Sequence, residues 1–205
     1  MAVEIVLATT NLHKIREFRE MFKALKFVDL LSLLNFPDYI PPEETEATFE
    51  GNANLKAIHA AHALKKWVIA DDSGLVVPAL GGAPGIYSRR YAGEHATDKE
   101  NREKLLYEMR ELQSFQRSAY FQCTLALAGV DGLCKTVTGT VEGVILEEER
   151  GREGFGYDAV FQQHDSYQSF AQISSDHKNK ISHRHKAFKK LVSKLEALKT
   201  ASSHP

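Results

Sequence analysis

The stretch WVIADDSGL, residues 67–75, decides how the rest of the chain is read. Trp67 to Ala70 is a short apolar run with β-branched residues, the pattern of a buried strand. Two adjacent carboxylates follow, Asp71 and Asp72, and then Ser73-Gly74. Asp-Ser-Gly is turn chemistry, so the strand is expected to stop at Ala70 with the acids just beyond it. In open α/β sheets ligands sit outside the carboxyl ends of strands. Two carboxylates side by side there raise each other's pKa, a cost that a divalent cation removes. Oxygen ligands suit Mg2+, which takes one or two carboxylates and keeps its waters. An aspartate in such a place also suits general-base work.

Outward from this stretch, short apolar runs alternate with helical patterns. EIVLA (4–8) reads as a strand, and Leu12, Ile15, Phe18, Phe22 and Leu25 then fall at helical spacing, with Asn11 as N-cap. FPDYIPPEE is a proline-rich loop, and TFEGNANLKAIHAAHALKK is a helix with an alanine-rich face. Thr97 and Glu100 make a capping box for a third helix. AYFQCTLALAGVDGLCKTVTGTVEGVIL reads as two strands joined at Asp131-Gly132. GREGFGYDAVF is a glycine-rich loop running into a strand, and SHRHKAFKKLVSKLEALK is an amphipathic helix. This alternation predicts an α/β fold, and the hairpin predicts a mixed sheet. The final TASSHP looks frayed.

The 205 residues suit one domain, or one domain with two lobes; 43% are hydrophobic and 26% charged, ordinary for a soluble globular protein. A formal net charge of −1 gives no general pull toward nucleic acid or acidic membranes. No apolar run approaches the length of a membrane span, and no signal peptide is expected at MAVEIVLATTN. Cys123 and Cys134 fit buried thiols in a reducing cytoplasm better than a disulfide framework or a zinc site.

Other segments add candidate chemistry. Thr9-Thr10-Asn11-Leu12-His13-Lys14 follows a strand and opens a helix, where backbone N–H groups and the helix dipole favour phosphate. Asn52, Lys56 and His59 share one helix face, with Glu44 in the loop upstream. Phe155 and Tyr157, on the glycine loop with Gly156 and Asp158, are placed to stack on a base or to fold onto the core. Lys178, Lys180, His183, Arg184, His185 and Lys186 form a basic run. His183 and Arg184 at a helix N-terminus work against the dipole, which hints at an acceptor-rich ligand. Each segment alone has a bland alternative in a cap, a solvated face or a core packing role. Together they fit a nucleoside triphosphate with Mg2+.

The motifs TTNLHK, EETEATFEGNANLKA, ADDSGL, GAPGIYSRRYAG, GFGYD and KNKISHR, in this order, resemble the inosine triphosphate pyrophosphatase family, the XTP/dITP diphosphatases. The resemblance covers nearly the whole chain. It implies a long mixed β-sheet flanked by helices, in two lobes with a central cleft over residues 1–205. It implies Mg2+-dependent hydrolysis of ITP, dITP and XTP to the monophosphate and pyrophosphate by a homodimer; the near-zero net charge and the lack of a long apolar run add the expectation of no nucleic-acid or membrane partner. By position it implies that Glu44 and Asp72 bind metal and that Asp72 activates water, with Asp71 in support. Residues Thr9 to Lys14, Asn52, Lys56 and Ser73 would contact substrate. Phe155, with Gly156, Tyr157 and Asp158, would form the base wall, and Lys178, His183 and Arg184 would reach base or phosphates. Arg184, or backbone N–H groups near it, is the expected donor to the purine C6 oxygen. Where the family commonly has proline after GYD, this chain has Ala159, which predicts a more mobile loop. A pyrophosphatase for pyrimidine or modified nucleotides, and a nucleotide sensor without turnover, are the competing readings.

Overall fold

The computed structural model describes residues 2–201; of the tail expected to fray, residues 202–205 lie outside them. Its strands are β1 (Val3–Leu7), β2 (Val28–Ser32), β3 (Trp67–Val76), β4 (Ser118–Gly129), β5 (Gly132–Ile145) and β6 (Phe161–Gln163). Its helices are α1 (Leu12–Phe22), α2 (Phe49–Leu64), α3 (Asp98–Glu108), α4 (Ser175–Ile181) and α5 (His183–Ala201). The strands form one sheet in the order β2-β1-β3-β4-β5-β6. It is mixed, as the hairpin predicted: β2, β1 and β3 run parallel, and β5 and β6 antiparallel. Asn11 caps α1, accepting from the N–H groups of His13 and Lys14, and the Thr97–Glu100 capping box opens α3.

Three elements differ from expectation. The strand begun at Trp67 does not stop before the acids; it continues through Asp71, Asp72, Ser73 and Gly74 to Val76. Neighbouring strands there override the turn preference of Asp-Ser-Gly. β2 carries too little alternation to stand out, and it forms only as an edge partner of β1, from Val3↔Val28 to Leu7↔Ser32. The seven-residue α4 has no long apolar period of its own; Ser174 caps it by accepting from the His177 N–H.

The chain divides into two compact units. One holds the residues up to Asp72, Cys123–Gly139 and those from Arg184 onward; the other holds Ser73–Gln122 and Thr140–His183. In the first unit, alternation along the strands sorts side chains onto two buried faces. Val3, Ile5, Leu7, Ile69, Leu125 and Leu127 pack with Ile15, Phe18 and Phe22 of α1 and with Phe188, Leu191 and Leu195 of α5. Val6, Ala8, Val68, Ala70, Ala126 and Ala128 pack with Ala53, Ala57, Ala60 and Ala61 of α2. Small residues on both sides of that second contact allow the α2 backbone to lie close to the strands.

The second unit is built round aromatics. The Phe121 and Phe161 centroids are 4.7 Å apart and those of Phe161 and Phe170 5.0 Å apart, both edge-on. The buried Arg117 gives its guanidinium to the carbonyls of Ile145, Met109 and Leu146 at 2.8, 2.7 and 2.6 Å. Gly143 lies opposite Gln163, and a Cβ on it would stand 2.2 Å from the Gln162 carbonyl oxygen and 2.7 Å from the Phe161 ring. Gly143→Ala is therefore expected to part β6 from β5 and cost about 1–3 kcal/mol, read as a lower urea midpoint than wild type.

Candidate active site

The extension of β3 changes what the acid pair means. Successive residues of a strand point to opposite faces, so Asp71 and Asp72 do not share a site. Asp71 lies on the face packed by α1 and α5, and Asp72 on the face packed by α2. The sequence argument that a cation must relieve repulsion within the pair is corrected here. Each carboxylate meets its own cations.

Asp71 is buried in a charge cluster. Its Oδ1 accepts from Lys14 Nζ, and its Oδ2 from Arg184 Nε at 2.8 Å and from the Cys123 thiol at 3.3 Å. Arg184 reaches on through NH1 to Glu17, one turn after Lys14 on α1. Burial alone would raise the Asp71 pKa, but Arg184 and Lys14 outweigh it and hold this carboxyl well below the usual range. Burial, and then Asp71, push the Cys123 thiol well up, so it remains a protonated donor. Burial opposes the charge on Arg184, yet Asp71 and Glu17 raise its pKa above the ordinary value.

Asp72 is a different kind of acid. Its Oδ1 accepts from Lys56 Nζ at 2.9 Å, while its buried Oδ2 has no hydrogen-bond partner. Lys56, on α2, also donates to Glu44 at 2.8 Å and to the Asp71 carbonyl at 3.1 Å. One ammonium thus brings Glu44 and Asp72 within its own reach. Burial, and to a smaller degree Glu44, raise the Asp72 pKa above the ordinary carboxylate value, against the pull of Lys56. Among the described residues no group of three or more His, Cys, Asp and Glu side chains gathers as a metal cage. Two carboxylates with an oxygen unsatisfied still fit Mg2+, which needs no more from a protein.

The loop bearing Glu44 is fastened to α2 on both sides. Upstream, the Tyr39 hydroxyl shares a 2.8 Å hydrogen bond with His59 Nδ1. Downstream, Asn52 accepts from the Glu46 N–H at 3.1 Å and donates to its carbonyl at 3.3 Å. Gly51 leaves room for that segment, since a Cβ would stand 2.7 Å from Glu46 Cβ. Asn52, expected at the triphosphate, is 1% exposed and is spent on this loop. At the end of β1, Thr9 is half-buried, Thr10, Asn11, Leu12 and His13 are exposed, and Lys14 is half-buried. The cap takes the N–H groups of His13 and Lys14, and Thr9 Oγ1 accepts from the Asn11 N–H at 3.1 Å. What this segment offers an anion is then its hydroxyls and Lys14 more than open amides.

In the second unit, the Phe155 N–H donates to Asp158, which is paired with Lys178. The Lys178 ammonium lies 4.5 Å from the centre of the half-buried Phe155 ring. Tyr157 folds into the core instead of joining a base wall: its hydroxyl donates to the Ser88 carbonyl at 2.8 Å, and burial raises its pKa. His183 is buried too, stacked on Phe121 at 4.8 Å. Ser73 follows Asp72 in β3 and is half-buried. The acceptors hinted at by basic residues opening α5 are protein carboxylates. Arg184 is 1% exposed and faces Asp71 and Glu17, which corrects its placement as a direct reader of a base. Glu17 escaped the sequence reading because a lone glutamate in an exposed-looking helical pattern carries no signal.

The Ham1 family matches residues 5–194, and the chain belongs to this family. A dITP/XTP pyrophosphatase of Protochlamydia amoebophila is 58% identical over 96% of this chain and all of its own length. The Ham1 protein of Staphylococcus aureus is 44% identical with a TM-score of 0.84, covering 95% of this chain and 98% of its own. A HAM1 protein from Coxiella burnetii is 38% identical with a TM-score of 0.86, covering 95% and 99%. These structures share the mixed α/β architecture and its six-stranded sheet.

The two aspartates predict opposite responses to neutralisation. Asp71 is held below its unfolded-state value, so its ionised form stabilises the fold above that value, and the gain is lost as pH falls through the depressed one. Asp72 has a raised value, so its ionisation works against the fold. Asp71→Asn is expected to cost about 3–5 kcal/mol by removing the buried negative charge that Arg184 and Lys14 share, while Asp72→Asn stays within about 1 kcal/mol of wild type or gains; chemical denaturation at neutral pH separates them. Asn52→Ala should free the Glu44 loop, read as roughly tenfold faster cleavage after Glu43, Glu44 and Glu46 by a glutamate-specific protease.

Proposed function

We propose that this protein hydrolyses deaminated purine nucleoside triphosphates (ITP, dITP and XTP) to the monophosphate and pyrophosphate, with Mg2+. The observation that carries the chemistry is Asp72. It is a buried carboxylate of raised pKa, with one oxygen on Lys56 and the other unsatisfied, beside Glu44. An acid so placed is costly to the fold and useful as a base. The substrate class is supported by the Protochlamydia relative, which is named a dITP/XTP pyrophosphatase.

In this reading Asp72 Oδ2 takes a proton from the attacking water, whose oxygen bonds to the α-phosphorus as the bond from that phosphorus to the bridging oxygen breaks. Pyrophosphate leaves with the electron pair. Glu44 and Asp72 would hold Mg2+, which supplies positive charge to the phosphate oxygens. Lys56 orients both acids and is placed to share its charge with the phosphates. Lys14, steered by Asp71, serves the same end from α1, with Thr9, Thr10 and the exposed start of that helix. Ser73 is a further substrate contact in this proposal. Phe155 gives the base a stacking surface, fixed by Gly156, Asp158 and Lys178. Tyr157, His183 and Asn52 act by holding the elements that carry these groups. Residues 1–205 work as one domain in a homodimer, which the family resemblance supports, and in the cytoplasm without nucleic-acid or membrane partners, which the two cysteines and the near-zero net charge support. No helix of the described residues is long and apolar enough to cross a membrane.

Pyrophosphate release from ITP, XTP, ATP, GTP and dUTP, with and without Mg2+, tests the proposal. ITP and XTP should lead, and chelation should stop turnover. Asp72→Asn should lower kcat by about 10²–10⁴-fold while the fold persists. Equal rates on dUTP and ITP would move the enzyme to the pyrimidine reading. Nucleotide binding without pyrophosphate release would make it a sensor.

A further inference from the structure

We propose that Asp98 and Arg102 are positioning residues for base selection; the inference rests on the proposed function and adds residues that the motif reading left aside. Both lie on α3 four residues apart, hence on one face. From that face they grip both backbone polar groups of a single residue of the glycine loop, Gly156. The Gly156 N–H donates to Asp98 Oδ2 at 2.7 Å, and the Gly156 carbonyl accepts from Arg102 NH1 at 2.8 Å. Arg102 is itself held by a two-pronged pair with Glu149, Nε to Oε1 at 2.9 Å and NH2 to Oε2 at 3.1 Å. The start of α3 is stiffened by the Thr97–Glu100 capping box. Gly156 has φ +61, a left-handed conformation that glycine adopts without cost, and a Cβ there would meet no atom within 4 Å. The glycine serves the backbone angle, and the angle presents N–H and carbonyl to the two side chains of α3.

Phe155 is fixed from both sides as a result. Its own N–H is taken by Asp158 at 2.8 Å, and the next residue's peptide groups are taken by α3. This answers the mobility that Ala159 led us to expect. Proline at that place would stiffen the loop through the backbone of Asp158; here two charged side chains of α3 do so from outside the loop. A stacking surface discriminates between bases only when its plane is held against the groups that read the base edge. Loosening the backbone on either side of Gly156 should therefore weaken what the base contributes to binding and leave the phosphate chemistry intact.

The test compares wild type with Asp98→Ala, Asp98→Asn and Arg102→Met, the last keeping the side-chain stem. Each is assayed on ITP and ATP, and for inhibition by tripolyphosphate, a ligand with the phosphates but no base. Asp98→Ala and Arg102→Met should raise KM for ITP about tenfold and shrink the ITP-to-ATP ratio of kcat/KM by a similar factor. The kcat for ITP and the inhibition by tripolyphosphate should stay near wild type. Asp98→Asn, whose amide oxygen still accepts the Gly156 N–H, should recover most of the loss. An unchanged KM and ratio in both Asp98→Ala and Arg102→Met overturns the clamp. So does weaker tripolyphosphate inhibition in step with ITP, which marks general loosening of the fold. If Asp98→Ala does not fold, Arg102→Met decides alone. A wild-type enzyme with no preference for ITP over ATP overturns the proposed function itself, so the two failures are told apart.

Discussion

The alternation of β3 is the constraint on which the site depends. Because the strand runs on through Asp71 and Asp72, the two neighbours in sequence face opposite sides of the sheet. One side carries α1 and α5, and the other carries α2. Each face brings its own hydrogen-bonded cation to the carboxylate, so adjacent acids are tuned in opposite directions. Were the strand to end at Ala70, both carboxylates would lie in one turn and compete for the same partners.

This division separates a satisfied acid from an unsatisfied one. Asp71, Arg184, Glu17, Lys14 and the Cys123 thiol form a buried cluster whose charges offset one another. It ties α1 and α5 to β3 and aims Lys14. Asp72 shares Lys56 with Glu44 and keeps an oxygen unsatisfied. A buried group left incomplete costs the fold and persists where function requires it. The loop with Glu44 illustrates the same economy: Asn52, Gly51 and the Tyr39–His59 pair hold it in place and leave the carboxylate to act.

Much of this was legible in the sequence because it depends on local order. The helix caps at Asn11 and Thr97, the alanine face of α2, the hairpin near Asp131 and the family motifs all follow from residue type and spacing. Asp72, Glu44 and Lys56 are candidates by residue type and spacing in the same way, and the fold brings them together. Other assignments were decided or failed for physical reasons. For Tyr157 the residues leave open stacking on a base or folding onto the core, and the Ser88 carbonyl, offering its hydroxyl a partner inside the core, decides for the second. Arg184 was given to a ligand because basic residues oppose a helix dipole; acids distant in the chain supply what it needs. Asp98, Arg102 and Glu17 are ordinary helix residues until their partners, 58, 54 and 167 positions away, are brought to them.

By itself the sequence determined the alternation of strands and helices, the caps, and the set of acids and lysines available for phosphate chemistry. All of these are written in periodicity and in pairs a few residues apart. Only the tertiary structure decided which aspartate is satisfied and which keeps an oxygen without a hydrogen-bond partner. That depends on where β3 ends, which its neighbouring strands set, and on which helix covers each face. Such pairings are between residues far apart in the chain, and no local pattern encodes them.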